Sequence, residues 1–107
     1  MIPVNQPLLG NLEREFVCDA LESGWISGSG PYVDRFEKEW AAYCDRQHGI
    51  AVSSGTAALD TAFHALNLPI GSEIIMPTFT IISCAQAAVA HGLTPVYVDA
   101  NPLTWCM

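Results

Sequence analysis

The stretch Ser53-Ser54-Gly55-Thr56-Ala57 stands directly before an amphipathic run that ends at Leu66. A helix beginning there would present unpaired backbone N–H groups and the positive end of its dipole, a seat for an anion such as phosphate. Gly55 permits a tight turn and a close approach, and the amides of Thr56 and Ala57 would point outward from the first turn. The same residues also suit a plain helix cap, and their spacing alone leaves both readings open. Rival anion-binding motifs fail on residue type. A Walker A loop needs Gly-Lys-Ser/Thr, and no lysine is near Gly55. The "GSG" of Gly28–Gly30 follows no strand and lacks the third glycine of a dinucleotide fingerprint. "VSSGT" lacks the first glycine of a nucleophile elbow.

Other chemistry-bearing side chains are scattered. Cys18, Cys44, Cys84 and Cys106 form no C-x-x-C pair and no ligand spacing with His48, His64 or His91, so no metal site is expected. The cysteines read as small apolar side chains in a core. The one lysine, Lys38, lies between Glu37 and Glu39 and reads as a solvated charge.

An anion seat at Gly55 needs elements to hold it. Asn11 opens an expected helix with Leu12, Phe16, Ala20 and Leu21 on one face, and Gly24 stops it. "GWISGSGPY" is a loop, Pro31 fits the first turn of a second helix, and Val33, Phe36, Trp40 and Tyr43 recur at helical spacing until Gly49. "IAVSS" reads as a strand, and Thr56 to Leu66 as a third helix with Leu59, Ala62, Phe63 and Leu66 inward. "EIIMP" is a second strand stopped by Pro77. Ile81 to Ala90 forms a fourth helix, with His91 and then Gly92 at its end, and "TPVYVDA" is a third strand ending near Asp99. From Ile50 the order strand, helix, strand, helix, strand implies an α/β fold, a mostly parallel sheet with helices on both faces. Ligands of such sheets bind beyond the carboxyl ends of the strands. The loops Ser53–Thr56 and Pro77–Thr80 and the segment after Asp99 would lie there.

Composition narrows the partners. The 107 residues are 50% hydrophobic and carry 11 acidic against 4 basic side chains, a formal net charge of −7. No basic stripe is available for nucleic acid or for an anionic membrane surface. The apolar runs are too short to span a bilayer, and "MIPVNQPLLGNLEREF" has neither the basic nor the apolar region of a secretory leader, so a cytoplasmic protein is expected.

The segments "GWISGSGPYVDRFEKEWAAYC", "AVSSGTAALDTAFHAL" and "GSEIIMPTFTIISCAQAAVAHGLTPVYVDANPLTW" resemble, in order and spacing, the DegT/DnrJ/EryC1/StrS family. The resemblance implies the N-terminal part of a fold type I large domain. Residues 1–48 would be an N-terminal helical segment and 49–107 the start of the cofactor-binding sheet. It further implies a pyridoxal 5′-phosphate-dependent aminotransferase, perosamine synthetase-like. Such an enzyme acts on a nucleotide-linked 4-keto-6-deoxysugar in polysaccharide or O-antigen biosynthesis, with glutamate as amino donor and a homodimer as the working state. By the same resemblance Gly55, Thr56 and Ala57 would cradle the cofactor phosphate. Ile81 would take the place, commonly aromatic in relatives, against the ring face, and Trp25, Ser27 and Gly28 would border the substrate. The family's Schiff-base lysine falls beyond residue 107, and Asp99 is given no catalytic role. The 107 residues alone are therefore expected not to transaminate. A non-catalytic remnant, or the family's deoxysugar dehydratase branch with histidine in place of the lysine, are the alternatives.

Overall fold

A computed structural model describes residues 2–3 and 5–107. The expected lack of a leader includes Met1 and Val4, which lie outside the described residues. The chain divides into two compact units, Met1–Ala51 and Val52–Met107.

The first unit holds α1 (Asn11–Ser23) and α2 (Pro31–Tyr43). Gly10 caps α1, its N–H donating to Glu13 Oε2 at 2.6 Å, and Gly24 ends it in the left-handed conformation. Hydrogen bonds from Glu13's own backbone and from Gly10 hold the Glu13 carboxyl below its ordinary value. Pro31 occupies the first turn of α2, where its missing N–H costs nothing. The helices are joined by Tyr32, whose hydroxyl donates to Asp19 Oδ2 at 2.6 Å, and by the Arg35 guanidinium 5.2 Å above the Phe16 ring. That hydrogen bond to Asp19 raises the Tyr32 pKa.

Gly49 does not end α2. The helix stops at Tyr43 because Asp45 turns left-handed at φ 52°, and Arg46 N then donates to Ala41 O at 2.8 Å. Gly49 has a different task. The chain returns so closely along α2 that a Cβ at Gly49 would lie 2.4 Å from the Glu37 carbonyl oxygen, while Ala51 N donates to Glu37 Oε1 at 2.7 Å. Gly49→Ala is therefore expected to cost this unit about 1–3 kcal/mol through backbone displacement. Urea unfolding should show a lower midpoint with an unchanged slope. A midpoint equal to wild type would mean that the close approach is easily relieved.

The second unit contains α3 (Gly55–Leu66), β1 (Glu73–Pro77), α4 (Ser83–Ala90) and β2 (Thr94–Val98). β1 and β2 pair in parallel with Glu73 opposite Thr94 and Pro77 opposite Val98, and Thr78 N extends the ladder to Val98 O. α4 is the crossover. It lies against both strands, and α3 packs against α4. Small residues make this possible: Ala85, Ala87 and Ala88 are buried, Ala88 completely. Met76, Ala85, Ala88 and Leu93 form the core, with Phe63, Leu68, Ile74 and Cys84 packed around it. His91 Nε2 bonds Asp60 Oδ1 at 2.8 Å and ties the end of α4 to α3.

Two expectations are corrected here. "IAVSS" is not a strand, because no strand among the described residues supplies its hydrogen bonds, so the sheet has two strands rather than three. The cysteines are not core residues: Cys18, Cys44 and Cys106 are exposed, and only Cys84 is half-buried against the core. The inward face expected for α3 is partial, with Leu59 and Phe63 half-buried and Ala62 and Leu66 exposed. Among the described residues no helix is long and apolar enough to cross a membrane, and no side-chain group could hold a metal ion.

Candidate functional site

The carboxyl end of β1 leads through Thr78–Ile82 into the N-terminal end of α4, which a Thr56–Ser83 hydrogen bond ties to the N-terminal end of α3. α3 begins after Ser54, which is extended (φ −164°, ψ 164°) and whose Oγ accepts from Ala57 N at 3.1 Å. Serine serves well here because its short hydroxyl reaches back to an amide that the helix cannot pair. Ala58 N makes the first intrahelical bond, to Ser54 O at 3.0 Å. The amides of Gly55 and Thr56 have no partner among the described residues. They are two exposed donors at the positive end of a helix, the arrangement an anion requires.

Gly55 takes no part through a left-handed turn. The glycines with positive φ are Gly24, Gly30, Gly71 and Gly92. A Cβ at Gly55 would meet no atom within 4 Å, so what the glycine leaves at the helix start is open space. Ala57 differs from Thr56, since its amide is already engaged by Ser54.

Across from this turn, Thr56 Oγ1 donates to Ser83 Oγ at 3.1 Å. Ser83 opens α4, which follows the loop Thr78–Ile82 at the end of β1. Ile81 lies in that loop, exposed, its carbonyl accepting from Cys84 N at 3.2 Å. At the end of β2 the chain turns through Asn101, and Trp105 comes back against Phe79 with ring centroids 5.6 Å apart. Sequence reasoning covered Ser54 only within a turn that also suits a helix cap, and missed Ser83 and the Phe79–Trp105 pair. A serine before a helical run signals the cap, whereas no local pattern signals the other two contacts.

The loop residues of the N-terminal unit stand as follows. The Trp25 ring lies over Gly30, where a Cβ would come within 2.9 Å of Trp25 Cε3 at a φ of 140°. Ser27 Oγ donates to Ser29 O at 2.7 Å, and a Cβ at Gly28 would meet nothing within 4 Å. Lys38 is exposed on α2.

The family model of the DegT/DnrJ/EryC1/StrS aminotransferases matches residues 7–107. The chain belongs to this family. Its members are PLP-dependent aminotransferases, and the architecture is that of fold type I. The chain is 42% identical over 99 residues to the GDP-perosamine synthase of Vibrio cholerae, covering 92% of this chain and 27% of that protein. Among solved structures it resembles the aminotransferase from Psychrobacter cryohalolentis, at 33% identity and a TM-score of 0.81, over 91% of this chain and 25% of that one. It also resembles the E. coli GDP-4-keto-6-deoxy-D-mannose-3-dehydratase with bound hydrated PLP. That match has 26% identity and a TM-score of 0.84, over 96% of this chain and 28% of that one. The family member described here thus spans about a quarter of the length of these relatives.

Proposed function

We propose that this chain supplies the cofactor-phosphate seat of a pyridoxal 5′-phosphate-dependent aminotransferase. The substrate is a nucleotide-linked 4-keto-6-deoxysugar destined for polysaccharide, with glutamate as amino donor, and the enzyme is a cytoplasmic homodimer. Residues 1–48 form its N-terminal helical segment and residues 49–107 begin its cofactor-binding sheet. The observation that supports this reading most is the pair of unpartnered amides at Gly55 and Thr56, on a helix start beside the carboxyl edge of parallel strands, in a chain of this family.

The donor set fits a phosphate ester: uncharged N–H and O–H groups, a helix dipole, and no side chain standing over Gly55. Bound there, the cofactor would supply an electron sink. Gly55 and Thr56 hold its phosphate, and Ala57 joins them when Ser54 releases its amide. Ile81 offers an apolar side chain to the ring, and Trp25, Ser27 and Gly28 border the sugar nucleotide.

The test uses a polypeptide of the relatives' full length, supplied with pyridoxal phosphate, a nucleotide-linked 4-keto-6-deoxysugar and glutamate. An amino sugar formed in step with 2-oxoglutarate is expected. A deoxysugar carrying no new nitrogen would favour the second reading, a dehydratase, for which the likeness to the E. coli enzyme speaks. A protein that binds no cofactor would overturn both and leave the non-catalytic remnant.

A further inference from the structure

Thr56 and Ser83 stand 27 residues apart in sequence, and their hydroxyls meet at 3.1 Å. The bond joins the first turn of α3 to the first turn of α4. Among the described residues one other side-chain hydrogen bond ties these helices together, between His91 just past the end of α4 and Asp60, and it lies at the opposite end of α4. Between the two bonds α4 offers mainly small side chains, Ala85 and Ala88, against which Phe63 of α3 packs, and small side chains offer little shape to fix a register. Polar bonds at both ends supply that register. At the Ser83 end the direction of the bond matters. Thr56 donates and Ser83 accepts, so the Thr56 hydroxyl is held on the α4 side while its amide stays unpaired.

We propose that Ser83 is a positioning residue for the phosphate seat. It holds the Thr56 hydroxyl and so fixes the first turn of α3 with the Gly55 and Thr56 amides converging on one anion. The inference rests on the reading of Gly55–Thr56 as that seat. Losing the bond frees the Thr56 rotamer and lets the turn drift, which weakens the hold on a phosphate group and on nothing else in the ligand.

The experiment titrates the full-length apoprotein with pyridoxamine 5′-phosphate and, separately, with pyridoxamine, by calorimetry. Ser83→Ala is expected to weaken pyridoxamine 5′-phosphate by about threefold to tenfold, the effect of one hydrogen bond. Pyridoxamine affinity should not change, and Ser83→Thr should restore the phosphate-dependent difference. Thr56→Val removes the other partner, and the double variant should lose no more than the larger single loss. Wild-type affinity for pyridoxamine 5′-phosphate in Ser83→Ala, alongside a loss in Thr56→Val, would overturn the role of Ser83 and leave the seat standing. Equal weakening of both ligands would also overturn it. A wild-type protein that binds the two ligands equally would remove the seat itself.

Discussion

Replacing Gly55 by aspartate is expected to strip the protein of its cofactor while leaving its fold intact. The two effects have opposite signs because one charge meets two partners. At the first position of α3 a carboxylate faces the positive end of the helix dipole and is mildly stabilising. Aspartate also restricts the unfolded chain more than glycine does. No atom lies within 4 Å of the new Cβ, and the backbone φ there is not positive, so neither clash nor strain opposes the change. For a phosphate the same carboxylate is a like charge at close range and a competitor for the Gly55 and Thr56 amides. Two unit charges 4 Å apart repel by about 4 kcal/mol in a partly polar surrounding, and solvent at this exposed turn reduces that to about 2 kcal/mol or more. Affinity for pyridoxamine 5′-phosphate should fall by about thirtyfold to a thousandfold. The apoprotein should melt at or slightly above the wild-type temperature. Retained cofactor affinity in Gly55→Asp would place the phosphate elsewhere, and a large drop in the apoprotein's melting temperature would show that Gly55 has a structural role.

What could be read in the sequence divides by the range of the interactions involved. Gly24 and Pro31 marked helix ends because a left-handed cap and φ restriction act within one turn, whereas α1 begins at Asn11 with Gly10, not Asn11, as its cap. The runs "EIIMP" and "TPVYV" are the observed strands, since a continuous apolar run in a parallel sheet needs only its own residues to declare itself. "IAVSS" also carries a short apolar run, yet a strand exists only where a neighbour pairs with it, and that depends on residues elsewhere. Gly49 shows a related limit. Its glycine was visible, but helix stop and close approach give the same letter, and only the returning chain beside Glu37 distinguishes them.

The proposed anion seat was legible as a type of turn and illegible as a constellation. Ser-Gly-Thr before a helical run announced free amides at Thr56 and Ala57; that of Thr56 is unpartnered, that of Ala57 is taken by Ser54 Oγ, and the second unpartnered amide is Gly55's. The expectation that Gly55 bends the turn has no support in its backbone angles. The space left by the missing Cβ fits the sequence equally well and is what the structure contains. Ser83 could not be found by spacing, because its partner Thr56 lies 27 residues away in sequence, across an α3–α4 contact that no local pattern announces.

Leu93→Ala is expected to be the most damaging single truncation in the Val52–Met107 unit. Leu93 follows Gly92, which at φ 70° closes α4, with Gly92 N donating to Val89 O and Leu93 N to Ala88 O, each at 2.9 Å. That closure drops the Leu93 side chain onto Met76, Ala85 and Ala88. One residue later the chain enters β2, where Thr94 N bonds Ser72 O at 2.9 Å, while Gly71 N bonds Gly92 O at 2.7 Å. A helix end, a strand start and the core therefore meet at one side chain. Removing a buried leucine costs about 2–5 kcal/mol, the larger values applying where neighbours cannot collapse into the gap. The gap would be walled by Ala85 and Ala88, which cannot swing inward, and by the longer Met76, which can, so the loss should fall within that range rather than at its top. Leu103→Ala is the control, because Leu103 is exposed and its truncation should change stability by less than about 0.5 kcal/mol. Hydrogen exchange at the amides of β1 and β2 reads the outcome locally, and urea unfolding reads it globally. If Leu93→Ala and Leu103→Ala lose equal stability, the Met76–Ala88–Leu93 cluster does not hold this unit together.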